Sequence, residues 1–143
     1  MNWPIPTYAH IPLIHGEDGT KLSKRHGAEN VMDYKQDGYE VEVLKNYLLR
    51  LGYSINDDKI YDLDNNTFNF KLGKINKSPS RFNLKKLSSM NASYLRTQPL
   101  NNLINRIKTK FNLNEEILQR LNFLLPDLIQ RYTYLDEIKD DLL

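Results

Sequence analysis

Gly16-Glu17-Asp18-Gly19-Thr20-Lys21-Leu22-Ser23-Lys24-Arg25-His26-Gly27 places three cations (Lys21, Lys24, Arg25) and one hydroxyl (Ser23) within five positions, framed by glycines. Glycines let a backbone turn tightly and approach a ligand closely. Lysines between them set point charges on a polyphosphate, and a serine adds a short hydrogen-bond donor. A lysine-rich turn is ordinarily a solvated surface loop. The spacing is also not the Gly-x4-Gly-Lys-Ser/Thr of a Walker A loop. The stretch reads as a mobile phosphate-handling loop of a different kind. Just before it, Tyr8-Ala9-His10-Ile11-Pro12-Leu13-Ile14 is short, apolar and β-rich, a strand over 8–14 that delivers the loop. Pro12 puts that strand at an edge or end. With no second strand evident, it is expected to belong to a sheet outside this chain and to find no partner within it.

Helical periodicity dominates the rest. Val31 and Tyr34 mark a short helix stopped by Gly38, and Val41, Leu44, Tyr47, Leu48 and Leu51 form the stripe of a second helix over 40–51, with Gly52 at its C-cap. Ser54 to Lys59 is a polar loop, and Asp64 can cap a short helix over 64–70. Residues 75–83 form a connector restrained by Pro79, and Asn83 caps a helix over 84–95. Pro99 opens a helix carrying Leu100, Leu103, Ile104, Ile107 and Phe111. Asn114, Glu115 and Glu116 open the next, which Pro126 is expected to interrupt. A last helix runs from about Thr133 to the chain end. There is no internal repeat and no low-complexity tail.

The net charge of +2 conceals a strong asymmetry. Residues 65–114 carry ten basic side chains and no acidic one, whereas residues 1–64 carry seven basic and eleven acidic. A one-sign window of that length is the footprint of a polyanion. Its cations would mainly meet phosphates, giving salt-dependent affinity with little sequence reading. Phe82 and Tyr94, beside Arg81 and Lys85, are the aromatics best placed to contact RNA. Cysteine is absent, which excludes disulfides and thiolate metal sites. His10 and His15 flank Pro12 with no carboxylate at ligand spacing, so no metal site is expected. No apolar run approaches the roughly 20 residues needed to span a bilayer. Met1-Asn2-Trp3-Pro4-Ile5-Pro6 lacks the pattern of a signal peptide, so a cytoplasmic location is expected.

Lys21-Leu22-Ser23-Lys24-Arg25 resembles the KMSKS signature of class I aminoacyl-tRNA synthetases. The longer run from His10 through Gly19-Thr20 to His26-Gly27-Ala28 is similar to the form found in glutamyl-tRNA synthetases. The similarity continues through Asn76-Lys77-Ser78-Pro79-Ser80-Arg81-Phe82-Asn83, Lys85-Lys86-Leu87, Met90-Asn91 and Tyr94-Leu95-Arg96. It implies a mainly α fold: a short N-terminal strand and signature loop, then a stem-contact helical domain and the first helices of a helical anticodon-binding bundle. Residues 1–27 would end the catalytic domain, 28–75 would form the stem-contact region, and 76–143 would form the connector and partial bundle.

In that family glutamate attacks the α-phosphate of ATP, pyrophosphate leaves, and the adenylate esterifies the tRNA 3′ end. The resemblance implies that Lys24 stabilises charge on the departing pyrophosphate, with Lys21, Ser23 and Arg25 helping to hold ATP. His26 would support the loop backbone. Lys74, Lys77, Arg81, Lys85, Lys86 and Arg96 would contact tRNA(Glu). Glutamate and ATP would be substrates of the complete enzyme, and Mg would come as the counter-ion of ATP through the remaining half. The family's HIGH-type motif would lie before Met1, so these 143 residues alone are expected to form no adenylate. Apolar surface left at 8–14 and on the last helices would then meet that half or a second copy. Two other readings are a non-catalytic tRNA-binding or assembly module and the short synthetase-like enzyme that glutamylates queuosine; the latter lacks a helical continuation after Asn83.

Overall fold

The computed structural model describes residues 3–23, 30–56, 59–65 and 68–142. Local signals set most helix starts. Helix α1 (Val31–Gln36) begins where the Asn30 side chain accepts from Met32 N at 3.1 Å and Asp33 accepts from Asn30 N at 2.7 Å. It ends at Gly38, whose φ of +91° lets Tyr39 N reach back to Tyr34 O at 3.0 Å. A Cβ at Gly38 would also lie 3.2 Å from Tyr134 Cβ, so both backbone and space require glycine.

Helix α2 (Val41–Gly52) presents a stripe rotated from the expected one. Val43, Leu44, Asn46, Tyr47 and Leu51 are buried, while Val41 and Leu48 face solvent. The cause is Asn46, which periodicity alone would leave outside. Its amide donates to Tyr61 O at 2.8 Å and its carbonyl accepts from Tyr61 N at 2.8 Å. The side chain thus replaces a strand partner for that loop and draws its own face inward. Gly52 is the last helical residue, not the cap; the chain leaves through extended Tyr53 (φ −145°). The helix expected over 64–70 is not formed among its described residues. Asp62 instead accepts the amides of Asp64 at 3.1 Å and Asn65 at 3.2 Å, a local turn that competes with helix.

Helix α3 (Leu84–Thr97) starts at Asn83, whose side chain accepts from Lys86 N at 2.8 Å, and runs two residues beyond its expected end. Helix α4 (Leu100–Phe111) follows Pro99 and closes through Asn112, in the left-handed region at φ 49°. Helix α5 (Glu115–Leu128) is capped by Asn114 and continues through Pro126. A proline inside a helix removes one hydrogen bond and costs about 3 kcal/mol. Leu125, Leu128 and Ile129, all buried around it, offset that cost. After a 3-10 turn at Leu135–Glu137, α6 (Ile138–Leu142) ends the fold. It begins later than expected because Glu137 first accepts the amides of Thr133 and Tyr134.

The N-terminal strand is shorter than the sequence implies and, contrary to expectation, has a partner. Strand β1 (Ile14–His15) pairs in parallel with β2 (Ser80–Arg81), Ile14 opposite Ser80 and His15 opposite Arg81. Residues 3–13 lie exposed, with Trp3, Ile5, Tyr8 and Ile11 each more than 70% accessible.

Two apolar clusters hold the chain. One joins Tyr34, Tyr39, Val43, Leu44, Tyr47 and Leu51 to Leu87; the other joins Leu95 to the inward faces of α4, α5 and α6. Helix α3 therefore feeds both. No helix among the described residues is long and apolar enough to cross a membrane.

Candidate functional site

The base of the signature loop is a closed hairpin. Gly16 N donates to Thr20 O at 2.8 Å, Gly19 N to Gly16 O at 3.0 Å, and Leu22 N to Ile14 O at 2.9 Å, with His15 bridged antiparallel to Lys21. Asp18 accepts from Thr20 N at 2.9 Å and from its hydroxyl, stiffening the turn. Gly19 has φ +80°, a conformation that side-chain-bearing residues rarely adopt. Ile14 packs against the first apolar cluster, which ties the hairpin to the helices.

The connector straps this hairpin from outside. Phe82 N donates to His15 O at 2.8 Å, and Ser80 hydroxyl donates to Leu51 O. Tyr47 clamps the end of the strap, its hydroxyl accepting from Asn83 N at 2.6 Å and donating to Asn83 O at 2.9 Å. Arg81 is thereby carried to the loop turn: a Cβ at Gly19 would stand 3.5 Å from an Arg81 Nη. A residue assigned from sequence to tRNA contact thus sits beside the glycine turn of the hairpin. Lys21 is exposed and Ser23 half-buried at the hairpin's exit; Lys24, Arg25 and His26 lie outside the described residues.

Of the cations assigned to RNA, Lys74 stands on a 3-10 turn (Leu72–Lys74), Lys77 follows it, and Lys85 and Lys86 occupy the first turn of α3, all exposed. Arg96 has a structural bond as well, donating to Gln130 O at 2.8 Å. The basic window is narrower in space than in sequence. Arg106 pairs with Glu40 at 2.7 Å, Lys110 with Asp136 at 2.6 Å, and Lys108 with Glu115 at 3.7 Å. Acids outside the window thus cancel its C-terminal end, and the one-sign stretch contracts to residues 71–96. Lys71 belongs to it on the same exposed segment, although the motif match did not single it out.

Phe82 and Tyr94, singled out from sequence for RNA contact, are each half-buried. Phe82 packs edge-on to Tyr47 at 5.2 Å, and both rings wall the first cluster. Burial also pushes the Tyr94 and Tyr47 phenols up. Among the described residues no group of three or more His, Asp and Glu converges to hold a metal ion.

The family model for class I tRNA synthetases (E and Q), catalytic domain, matches residues 1–89. The chain belongs to that family. Glutamate–tRNA ligase 2 of Bartonella quintana (strain Toulouse) is 43% identical over 152 residues, covering 99% of this chain and 32% of the relative. Glutamate–tRNA ligase 2 of Paramagnetospirillum magneticum is 42% identical over 148 residues, with 99% and 31% covered. Among solved structures, a glutamate tRNA ligase from Elizabethkingia meningosepticum in complex with its amino acid superposes with a TM-score of 0.76 at 26% identity. The match covers 99% of this chain and 32% of that one. The chain spans about a third of the length of the relatives it matches.

Proposed function

We propose that this chain supplies the ATP-facing loop and tRNA-contacting helices of a glutamate–tRNA ligase, acting on glutamate, ATP and tRNA(Glu) in the cytoplasm. What carries the reading is the hairpin at 14–22, built to hold a short cationic stretch at its exit and strapped by the segment that bears Arg81. Lys24 would stabilise charge developing on pyrophosphate; Lys21, Ser23 and Arg25 would hold the phosphates, with Mg arriving on ATP. Residues 1–27 would close the catalytic domain, 28–75 contact the tRNA stem, and 76–143 begin the anticodon-binding bundle.

Binding of labelled tRNA(Glu) across a salt series tests the RNA half of this reading. Neutralising Lys77, Arg81, Lys85 or Lys86 should each weaken binding and lower the salt slope by about one. Flat affinity across the set would remove the RNA role. ATP–pyrophosphate exchange tests the other half. The 143 residues should give background exchange, and Lys24→Ala in a ligase completed by its nucleotide-binding half should lose about 2–4 kcal/mol of transition-state stabilisation.

A further inference from the structure

Phe70 keeps 53% of its surface exposed, yet its ring is held in place. It stacks on buried Tyr53, centroids 5.0 Å and planes 22° apart. Tyr53 in turn meets Phe68 edge-on at 5.7 Å, and Phe68 meets Tyr61 at 5.8 Å. The backbone beside the ring is equally fixed. Lys71 N donates to Tyr53 Oη at 2.8 Å, Ser54 N to Lys74 O at 2.8 Å, and Asn76 N to Gly52 O at 2.9 Å. One face of Phe70 is therefore seated on an aromatic support while the ring still meets water.

Among the described residues, the charges around it are one-sided. Lys71, Lys74 and Lys77 share the same exposed segment, and none of them is paired with a carboxylate among the described residues. Of the acids that precede the segment, the described Asp64 pairs with Lys45 at 2.6 Å, and Asp62 with Asn65. A rigid ring beside unpaired cations suits a nucleobase on the π-face and its phosphates on the lysines.

We propose that Phe70, seated on Tyr53 and flanked by Lys71, Lys74 and Lys77, is a stacking platform for an unpaired base of an RNA strand. The proposal rests on the RNA reading above and deepens it. Lysines alone hold duplex and single strand alike, whereas an open ring selects nucleotides that are free to unstack.

The test uses the 143-residue chain and two labelled probes of equal phosphate number: an unstructured RNA of about 12 nucleotides and a blunt RNA duplex. Phe70→Leu should weaken the single strand about tenfold and leave the duplex unchanged. Phe70→Trp should retain binding, and in a Trp3→Phe background its fluorescence should be quenched by the single strand. Lys71→Gln and Lys74→Gln should lower the salt slope for both probes. Equal loss for both probes with Phe70→Leu, no loss for either, or an unquenched indole would overturn the platform while leaving the RNA reading intact. Failure of the unaltered chain to bind these probes or tRNA would overturn both.

Discussion

Arg106 donates to a Glu40 carboxylate oxygen at 2.7 Å, joining α4 to the residue that opens α2 across 66 positions of sequence. Only 10% of the Glu40 side chain is accessible, and its backbone N–H is already taken by Asn91 Oδ1 at 2.8 Å. Asn91 also donates to Thr133 O at 2.7 Å, so one polar knot stitches the two apolar clusters together.

Arg106→Ala strands a mostly buried carboxylate and should cost about 2 kcal/mol in urea denaturation. Glu40→Gln in the same background should return part of that loss. An unchanged midpoint for Arg106→Ala would class the pair with exposed ion pairs that contribute little.

Asn46→Ala should cost about 2–3 kcal/mol, because both backbone groups of Tyr61 lose their partner at once. Amide exchange at Tyr61 should accelerate with it. Protection at Tyr61 that matches the unaltered chain would show that the loop is held by other means.

Two glycines should respond to alanine with opposite signs. Gly38→Ala meets a φ of +91° and Tyr134 Cβ at 3.2 Å, and should destabilise by about 1–3 kcal/mol. Gly52 is helical with nothing within 4 Å of an added Cβ, so Gly52→Ala should stabilise by about 0.5–1 kcal/mol. Thermal melting of both variants reads the signs directly.

Alkaline pH should unfold the chain early. Burial, opposed by its hydrogen bond with Ser88, pushes the Tyr39 phenol up to about 12 from its usual 10.0. Burial also raises Tyr132. A phenol that holds its proton more tightly in the folded state contributes stability fully below about pH 10, and loses it as pH rises from there toward 12. Lys45, raised by its hydrogen bond to Asp64, loses its contribution on the same alkaline side. Denaturation midpoints should be flat near neutrality and fall above about pH 10, with a shallower fall in Tyr39→Phe. A fall of unchanged steepness would clear Tyr39 of the effect.

What the sequence made legible was local. Asn83 and Asn114 declared two helix starts because a cap and its amide lie within three positions. Gly38 declared a stop. Long-range pairings were not legible, since β1 meets β2 and Asn46 meets the Tyr61 backbone only after the chain has folded back. The same limit governs the site. The cationic loop could be read from its residues, but Arg81 beside Gly19, and the acids that cancel Arg106 and Lys110, come from remote segments. Pro126 within α5 shows the converse, a residue whose local preference is overridden by packing nearby.

Helix α3 sends Leu87 into one core and Leu95 into the other, both with no accessible surface. Neither half can melt without uncovering a wall that the other half shares. The two lobes are thus bound to a common fate, and heat should take them apart in one cooperative event rather than in succession.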